Sequence, residues 1–203
     1  MVKILFCDWN GTLLDDMPIW DEARRKTFLA FGVEPPTVAD YFRELESGDY
    51  LEVYRKRGIT ASRDELNAIY EPAYEERLAD ATLFSGVAAT LHQLYENGIR
   101  LVLVTSQQNA LVVPLLNKFD IDHLFDECAF HIFDKKTVIT EIAQRNSVTP
   151  DQCSFVGDSP SDIRHAKKAG VTAIAFLGGH IPEELITGAD HHIRTFEEIL
   201  NLS

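Results

Sequence analysis

The sequence predicts an α/β protein: a parallel Rossmann-like sheet with helices on both faces, and a small α-helical block inserted after the first strand. Three observations carry this reading. Short apolar runs recur along the chain, and each stops at small polar or acidic residues. Amphipathic helical stripes lie between them. One long stretch, residues 15–82, holds helical patterns and no convincing strand.

Residues 4–7 (ILFC) form the first run, ended by Asp8-Trp9-Asn10-Gly11-Thr12. A short apolar run bounded by turn residues reads as a buried parallel strand. RLVLVTS (100–106), CAFHIF (128–133), CSFVGDS (153–159) and VTAIAF (171–176) read the same way. Between them Val87, Leu91 and Leu94 repeat at helical spacing, and Gly98 stops the helix. Val138, Ile139, Ile142 and Ala143 make a second stripe, and Ile163, Ala166 and Ala169 a third, closed by Gly170. Strands alternating with helices at this spacing build βα units.

Within the inserted block, helical patterns run over 17–31, over 38–57 with a break at Ser47-Gly48, and over 62–78. Gly32, the Glu34-Pro35-Pro36 step and Gly58 punctuate them. A helical block between two strands of a parallel sheet is an insertion rather than a crossover. It is expected above the C-terminal strand ends, where open α/β sheets bind ligands. The expected division is a core domain of 1–14 and 83–203 and an inserted domain of 15–82.

The chain has 203 residues, 19 basic and 32 acidic, for a formal net charge of −13. Its 45% hydrophobic and 25% charged content exclude disorder as the main state. The acidic balance argues against nucleic acid and against an anionic membrane surface, because both reward a basic protein. Cys7, Cys128 and Cys153 are odd in number, far apart and set among apolar neighbours. They read as buried reduced thiols rather than a disulfide frame or zinc site. The apolar run at the N-terminus is too short for a signal-peptide core, and no 18-residue apolar stretch occurs. The cytoplasm is the expected compartment.

The predicted strands end in groups that bear chemistry. Asp8 and Asn10 follow the first, Thr105 and Ser106 the second, and Asp158 and Asp162 follow CSFV. If these strands are parallel neighbours, the groups converge at one edge of the sheet. Several carboxylates in one crevice repel each other unless a cation sits among them. Oxygen-only ligands suit a hard ion such as Mg²⁺. A metal-bound carboxylate cluster with a lysine and a hydroxyl is a phosphate-handling site, and the glycine-containing turn at Gly11 completes the cradle. The same residues have plainer readings. Asn10-Gly11 suits a turn, and Ser159-Pro160 suits a helix start. His191-His192 read as surface residues, since adjacent side chains diverge in a strand. Arg24-Arg25-Lys26 reads as the solvated side of a helix.

FCDWNGTLLDD, LVLVTS, the lysine at 135 and VGDSPSD, in that order, resemble the four motifs of the haloacid dehalogenase-like hydrolases. The closing stretch 171–200 looks like that of the phosphoglycolate-phosphatase-like branch, and block 15–82 is similar to its small cap domain. The resemblance implies a Mg²⁺-dependent phosphatase of a small phosphorylated metabolite. It implies Asp8 as the nucleophile that forms an aspartyl-phosphate. It places the metal on Asp8, Asp158 and the backbone carbonyl of Asn10, with Asp162 supporting it directly or through water. Thr105, Ser106, Gly11 and Lys135 would bind the phosphoryl group, with Lys136 as the competing lysine. A monomer or homodimer is expected.

One position departs from the family pattern. Phosphatases of this family usually carry Asp two residues after the nucleophile, where this chain has Asn10. An amide cannot exchange a proton near neutral pH, so the usual acid–base group is missing. Relatives that cleave C–P or C–halogen bonds also lack this Asp. Two other readings therefore stand beside the phosphatase: hydrolysis of such a bond, and a phosphate-ester binding protein of weakened turnover.

Overall fold

Ile4–Cys7 is buried on both faces, which only a central strand with neighbours on each side can satisfy. In the computed structural model, which describes residues 2–45 and 49–202, this strand, β1, lies between two parallel partners. The expected break at Ser47-Gly48 lies outside the described residues. The chain divides into two compact units, Met1–Asp15 with Thr82–Ser203, and Asp16–Ala81.

In the first unit β1 is followed by β2 (Leu14–Asp15), which pairs antiparallel with β3 (Thr82–Leu83) across the point where the chain leaves for and returns from the second unit. Then come helix α5 (Val87–Glu96), β4 (Arg100–Val104), α6 (Asn109–Lys118), β5 (Phe125–Ala129), α7 (Lys135–Arg145), β6 (Cys153–Gly157), α8 (Pro160–Ala169), β7 (Thr172–Phe176) and β8 (His191–Ile193). Helices α1 to α4 belong to the second unit. The sheet has six strands, all parallel, in the order β5-β4-β1-β6-β7-β8. Alternate residues split its core. Ile4, Phe6, Val102, Val104 and Phe155 pack with Ile139, Ile142, Ile163 and Ala166 of α7 and α8. The intervening residues Leu5, Cys7, Leu101 and Leu103 are buried too, and so are Val87, Leu91 and Leu94 of α5.

Two elements differ from the sequence reading. The strand expected at 128–133 is Phe125–Ala129, three residues earlier. It is an edge strand, so Asp126 and Glu127 can sit in it facing water, and Asp126 accepts the Leu101 N–H at 3.2 Å. Looking only for an unbroken apolar run shifts the strand toward Phe130-His131-Ile132. Strand β8 carries His191 and His192, both exposed, and its polar start hid it. Cys7 and Cys153 are buried, whereas Cys128 is only partly so.

The second unit consists of α1 (Met17–Ala30), α2 (Val38–Glu44), α3 (Leu51–Arg55) and α4 (Arg63–Glu75). Ser62 and Glu65 start α4 with a reciprocal capping box. Phe28, Tyr41, Val53, Tyr54 and Leu66 form the core. Arg24 is not on the solvated side of α1. The residue is 1% exposed; its guanidinium donates to Pro36 O at 2.9 Å and to Asp21 Oδ1 at 3.1 Å, and lies over Tyr41 and Trp20 at 5.2 and 5.3 Å. A cation so paired and stacked holds the α1–α2 connection together. Among the described residues, no helix is long and apolar enough to cross a membrane.

Candidate active site

Parallel pairing decides where the strand-end residues meet. Cys7 is in register with Leu103 of β4 and Val156 of β6. The residues that follow the three strand ends, Asp8 after Cys7, Thr105 after Val104 and Asp158 after Gly157, therefore emerge at one edge of the sheet. Asp8 N–H donates to Val156 O at 3.0 Å, and Thr105 N–H to Ala129 O at 3.0 Å, so both are held as extensions of the sheet.

Asp8, Asp158 and Asp162 are all buried, and their carboxylate oxygens lie within 4.8 Å of one another. Lys135, the first residue of α7, is buried among them. Its ammonium is 2.7 Å from Asp8 Oδ1 and 2.7 Å from Asp162 Oδ1. Lys136, one residue on, is exposed. Asp162 has both oxygens engaged. Oδ1 takes Lys135, and Oδ2 accepts the Ser159 hydroxyl at 2.6 Å and the Ser159 N–H at 3.2 Å in the capping box that starts α8. The Ser159-Pro160 start of GDSPSD is thus a helix cap that also touches the buried carboxylate cluster. One aspartate caps α8 and anchors the lysine.

Thr105 is 1% exposed; its hydroxyl accepts the Gln107 N–H at 3.0 Å and keeps its own proton to donate. Ser106 is exposed. Gly11 has φ +74°, and a Cβ there would lie 2.3 Å from Asp158 Oδ2. Its place in the site is close approach, since its N–H already donates to Leu14 O at 2.9 Å. Asn10 is half-buried and bridges to Leu14.

The electrostatics follow from three buried carboxylates facing one ammonium. Burial first, then the charge of Asp162, push the Asp8 carboxyl up to about 7, against the pull of Lys135. Burial, then Asp8 and Asp162, hold Asp158 well above the usual carboxylate range. Burial alone would lower Lys135, but Asp162 and Asp8 outweigh it and hold the ammonium above its ordinary value. The donor set fits a hard divalent cation. All its donors are oxygens, and Lys135 leaves part of the negative charge unbalanced. Asp158 is the carboxylate that Lys135 does not touch. Its Oδ1 accepts the Thr12 hydroxyl at 3.3 Å and its Oδ2 the His180 N–H at 3.2 Å. Among the described residues a second group, Asp120, Asp122 and His123, has similar spacing, but it lies exposed on the surface.

Sequence reasoning missed the segment after β7. Gly179 packs against Gly11 and Asp158, and the His180 N–H donates to Asp158. The only signal was a glycine pair at a strand end. The anchoring of Lys135 by Asp162 was missed as well, because side-chain reach across two helix starts leaves no spacing rule.

A family profile described as haloacid dehalogenase-like hydrolase matches residues 4–176. The phosphoglycolate phosphatase of Salmonella typhi is 35% identical over 210 residues, covering 88% of this chain and 82% of that protein. The phosphoglycolate phosphatase of Pseudomonas putida is 28% identical over 194 residues, covering 88% and 70%. Solved structures share the fold at lower identity. A haloacid dehalogenase-like family hydrolase from Streptococcus pneumoniae matches with a TM-score of 0.80 at 22% identity, over 99% of this chain and 98% of its own. CbbY from Rhodobacter sphaeroides, solved in complex with phosphate, matches with a TM-score of 0.80 at 22% identity, over 98% and 96%.

Proposed function

The chain belongs to the haloacid dehalogenase-like hydrolases and is a phosphatase of that type, and from this premise we propose that it hydrolyses a small phosphorylated metabolite through a phosphoryl group carried on Asp8, with Mg²⁺ as cofactor. The observation that supports this most is the Lys135 ammonium set between Asp8 and Asp162. It draws Asp8 toward its ionised form, against burial and the charge of Asp162, and offers a positive charge where phosphoryl oxygens arrive.

In this reading an Asp8 oxygen attacks phosphorus and forms a P–O bond as the ester P–O bond breaks. Lys135 and the Thr105 hydroxyl hold the phosphoryl oxygens, with Ser106 at the rim. Water then attacks phosphorus, and inorganic phosphate leaves with Asp8 restored. Asp8, Asp158 and the Asn10 carbonyl would hold Mg²⁺, whose charge, when bound, neutralises the phosphoryl oxygens. Asp162 acts by fixing Lys135. Asn10 has no proton to exchange, so the leaving oxygen takes its proton from water or from the substrate. Residues 16–81 take the role of the family's cap and contribute to substrate choice.

The name of the relatives, phosphoglycolate phosphatase, supports a small phosphomonoester as substrate. The three free cysteines support a reducing, cytoplasmic setting, with the protein a monomer or homodimer. A panel of small phosphomonoesters, assayed for phosphate release with Mg²⁺ and with EDTA, tests the proposal. Mg²⁺-dependent release that Asp8→Asn abolishes is expected. Release unaffected by EDTA or by Asp8→Asn would overturn it.

A further inference from the structure

Gly32, Gly58 and Gly98 have left-handed φ and open space around them. Gly179 is the reverse case. Its φ is not in the left-handed region, yet a Cβ there would lie 2.3 Å from Gly11 O, 2.5 Å from Asp158 Cβ and 2.9 Å from Asp158 Oδ2. Space, not backbone conformation, is what demands glycine here. The next residue places its N–H 3.2 Å from Asp158 Oδ2.

The sheet and two side-chain anchors hold this segment in place. Gly157, just before Asp158, is in register with Ala175 of β7. Leu177 N–H donates to Ile193 O at 2.8 Å, which continues the sheet pairing past the end of β7. The His180 ring packs on Phe84 at 5.7 Å, and its Nε2 is 3.4 Å from Asp15 Oδ1. Phe84 is also packed on Phe176, at 5.2 Å. The backbone between Leu177 and His180 is thus fixed on both sides and pressed flat on Asp158.

We infer that Gly179 and the backbone N–H of His180 are positioning elements of the cation site: they hold the Asp158 carboxylate at the angle at which it binds the ion. The inference rests on the proposal that Asp158 is a metal ligand. The physical reason is the usual one for ligating carboxylates. Such a group binds well when outer hydrogen bonds fix its orientation, and losing one such partner costs about 10–100-fold in affinity. Thr12 restrains the other oxygen, but at 3.3 Å that bond is long for a hydroxyl donor. The His180 amide is therefore the better restraint.

The test follows the melting temperature as Mg²⁺ is titrated into wild type, Gly179→Ala, Asp158→Ala, and a protein whose residue-180 amide is exchanged for an ester. The ester removes the N–H and keeps the side chain. Gly179→Ala and the ester protein are expected to need about 10–100-fold more Mg²⁺ for the same stabilisation. Excess Mg²⁺ should return their turnover to near wild type, which a merely structural defect would not permit. Wild-type Mg²⁺ dependence in both, with the Asp158→Ala response lost, would overturn the inference and leave the metal assignment standing. An unchanged response in Asp158→Ala would instead overturn that assignment and the inference with it. If Gly179→Ala does not fold, the ester protein decides alone.

Discussion

Lys135 Nζ lies 2.7 Å from Asp8 Oδ1, inside the protein. The ammonium is held there by Asp162, which is itself fixed as the capping partner of Ser159. The start of one helix thus sets the position of a lysine at the start of another, and that lysine is paired with Asp8. Lys135→Ala should lower turnover by at least about 10²-fold, the scale of losing one electrostatic stabiliser of a phosphoryl transition state. The exposed Lys136→Ala should leave turnover within about twofold. Steady-state assays of the two variants check this, and the reverse pattern would move the role to Lys136.

Asp158 is the carboxylate least compensated by Lys135. Removing its charge should relieve repulsion with Asp8 and Asp162. In EDTA, Asp158→Asn should therefore melt higher than wild type, by on the order of 1 kcal/mol. In Mg²⁺ the order should reverse if Asp158 is the ligand proposed above. Paired melting curves with and without the ion decide it. A variant less stable than wild type in EDTA would show that the carboxylate is a structural asset instead.

How much of this was legible in the sequence differs by element. β1, β4, β6 and β7 sit in the middle of the sheet, where both faces are buried, so each announces itself as an apolar run. β5 and β8 are edge strands and tolerate Asp126, Glu127, His191 and His192, so the hydrophobic pattern mislocates one and hides the other. Site residues that sit at strand ends, such as Asp8 and Thr105, were legible because topology alone brings them together. Arg24 was misread because its charge was weighed and its neighbours were not. Trp20 and Tyr41 make a buried guanidinium tolerable, and only packing reveals them. The His180 amide was invisible, since a backbone N–H carries no sequence identity.

Asp190 ties β7 to the turn before β8. It accepts the Ala173 N–H at 2.9 Å and lies 2.6 Å from the Lys167 ammonium. The Lys167 hydrogen bond first, and the Ala173 N–H second, hold its carboxyl below the usual value. A carboxyl lowered on folding adds stability above its unfolded value of 3.8, and that stability is lost as pH falls through the folded value. Asp190→Asn should therefore be less stable than wild type at pH 7, and the difference should shrink as the pH drops below about 4. Urea unfolding across that range measures it. A difference independent of pH would mean the charge plays no part.

Asn10 is where the chemistry is thinnest. Asn10→Asp restores a proton donor with almost no change in size, and turnover should rise by about 10²–10⁴-fold if the rest of the site is intact. Spontaneous deamidation should not mimic this in folded protein. It requires attack by the Gly11 nitrogen, which donates to Leu14 O at 2.9 Å in a fixed turn. Fresh and aged samples should show equal activity and an unmodified Asn10 by peptide mass spectrometry. Activity that climbs with deamidated fraction would contradict that protection.

In the proposed reaction the phosphoryl group passes through Asp8. A rapid acid quench during turnover of a reactive phosphomonoester, followed by mass spectrometry of the peptide containing Asp8, tests it most directly. A phosphoryl group on Asp8 is expected in wild type, more abundant in Mg²⁺ than in EDTA and absent from Asp8→Asn. Sustained phosphate release with Asp8 never modified, or with Asp8→Asn as active as wild type, would contradict a phosphoryl group carried on Asp8.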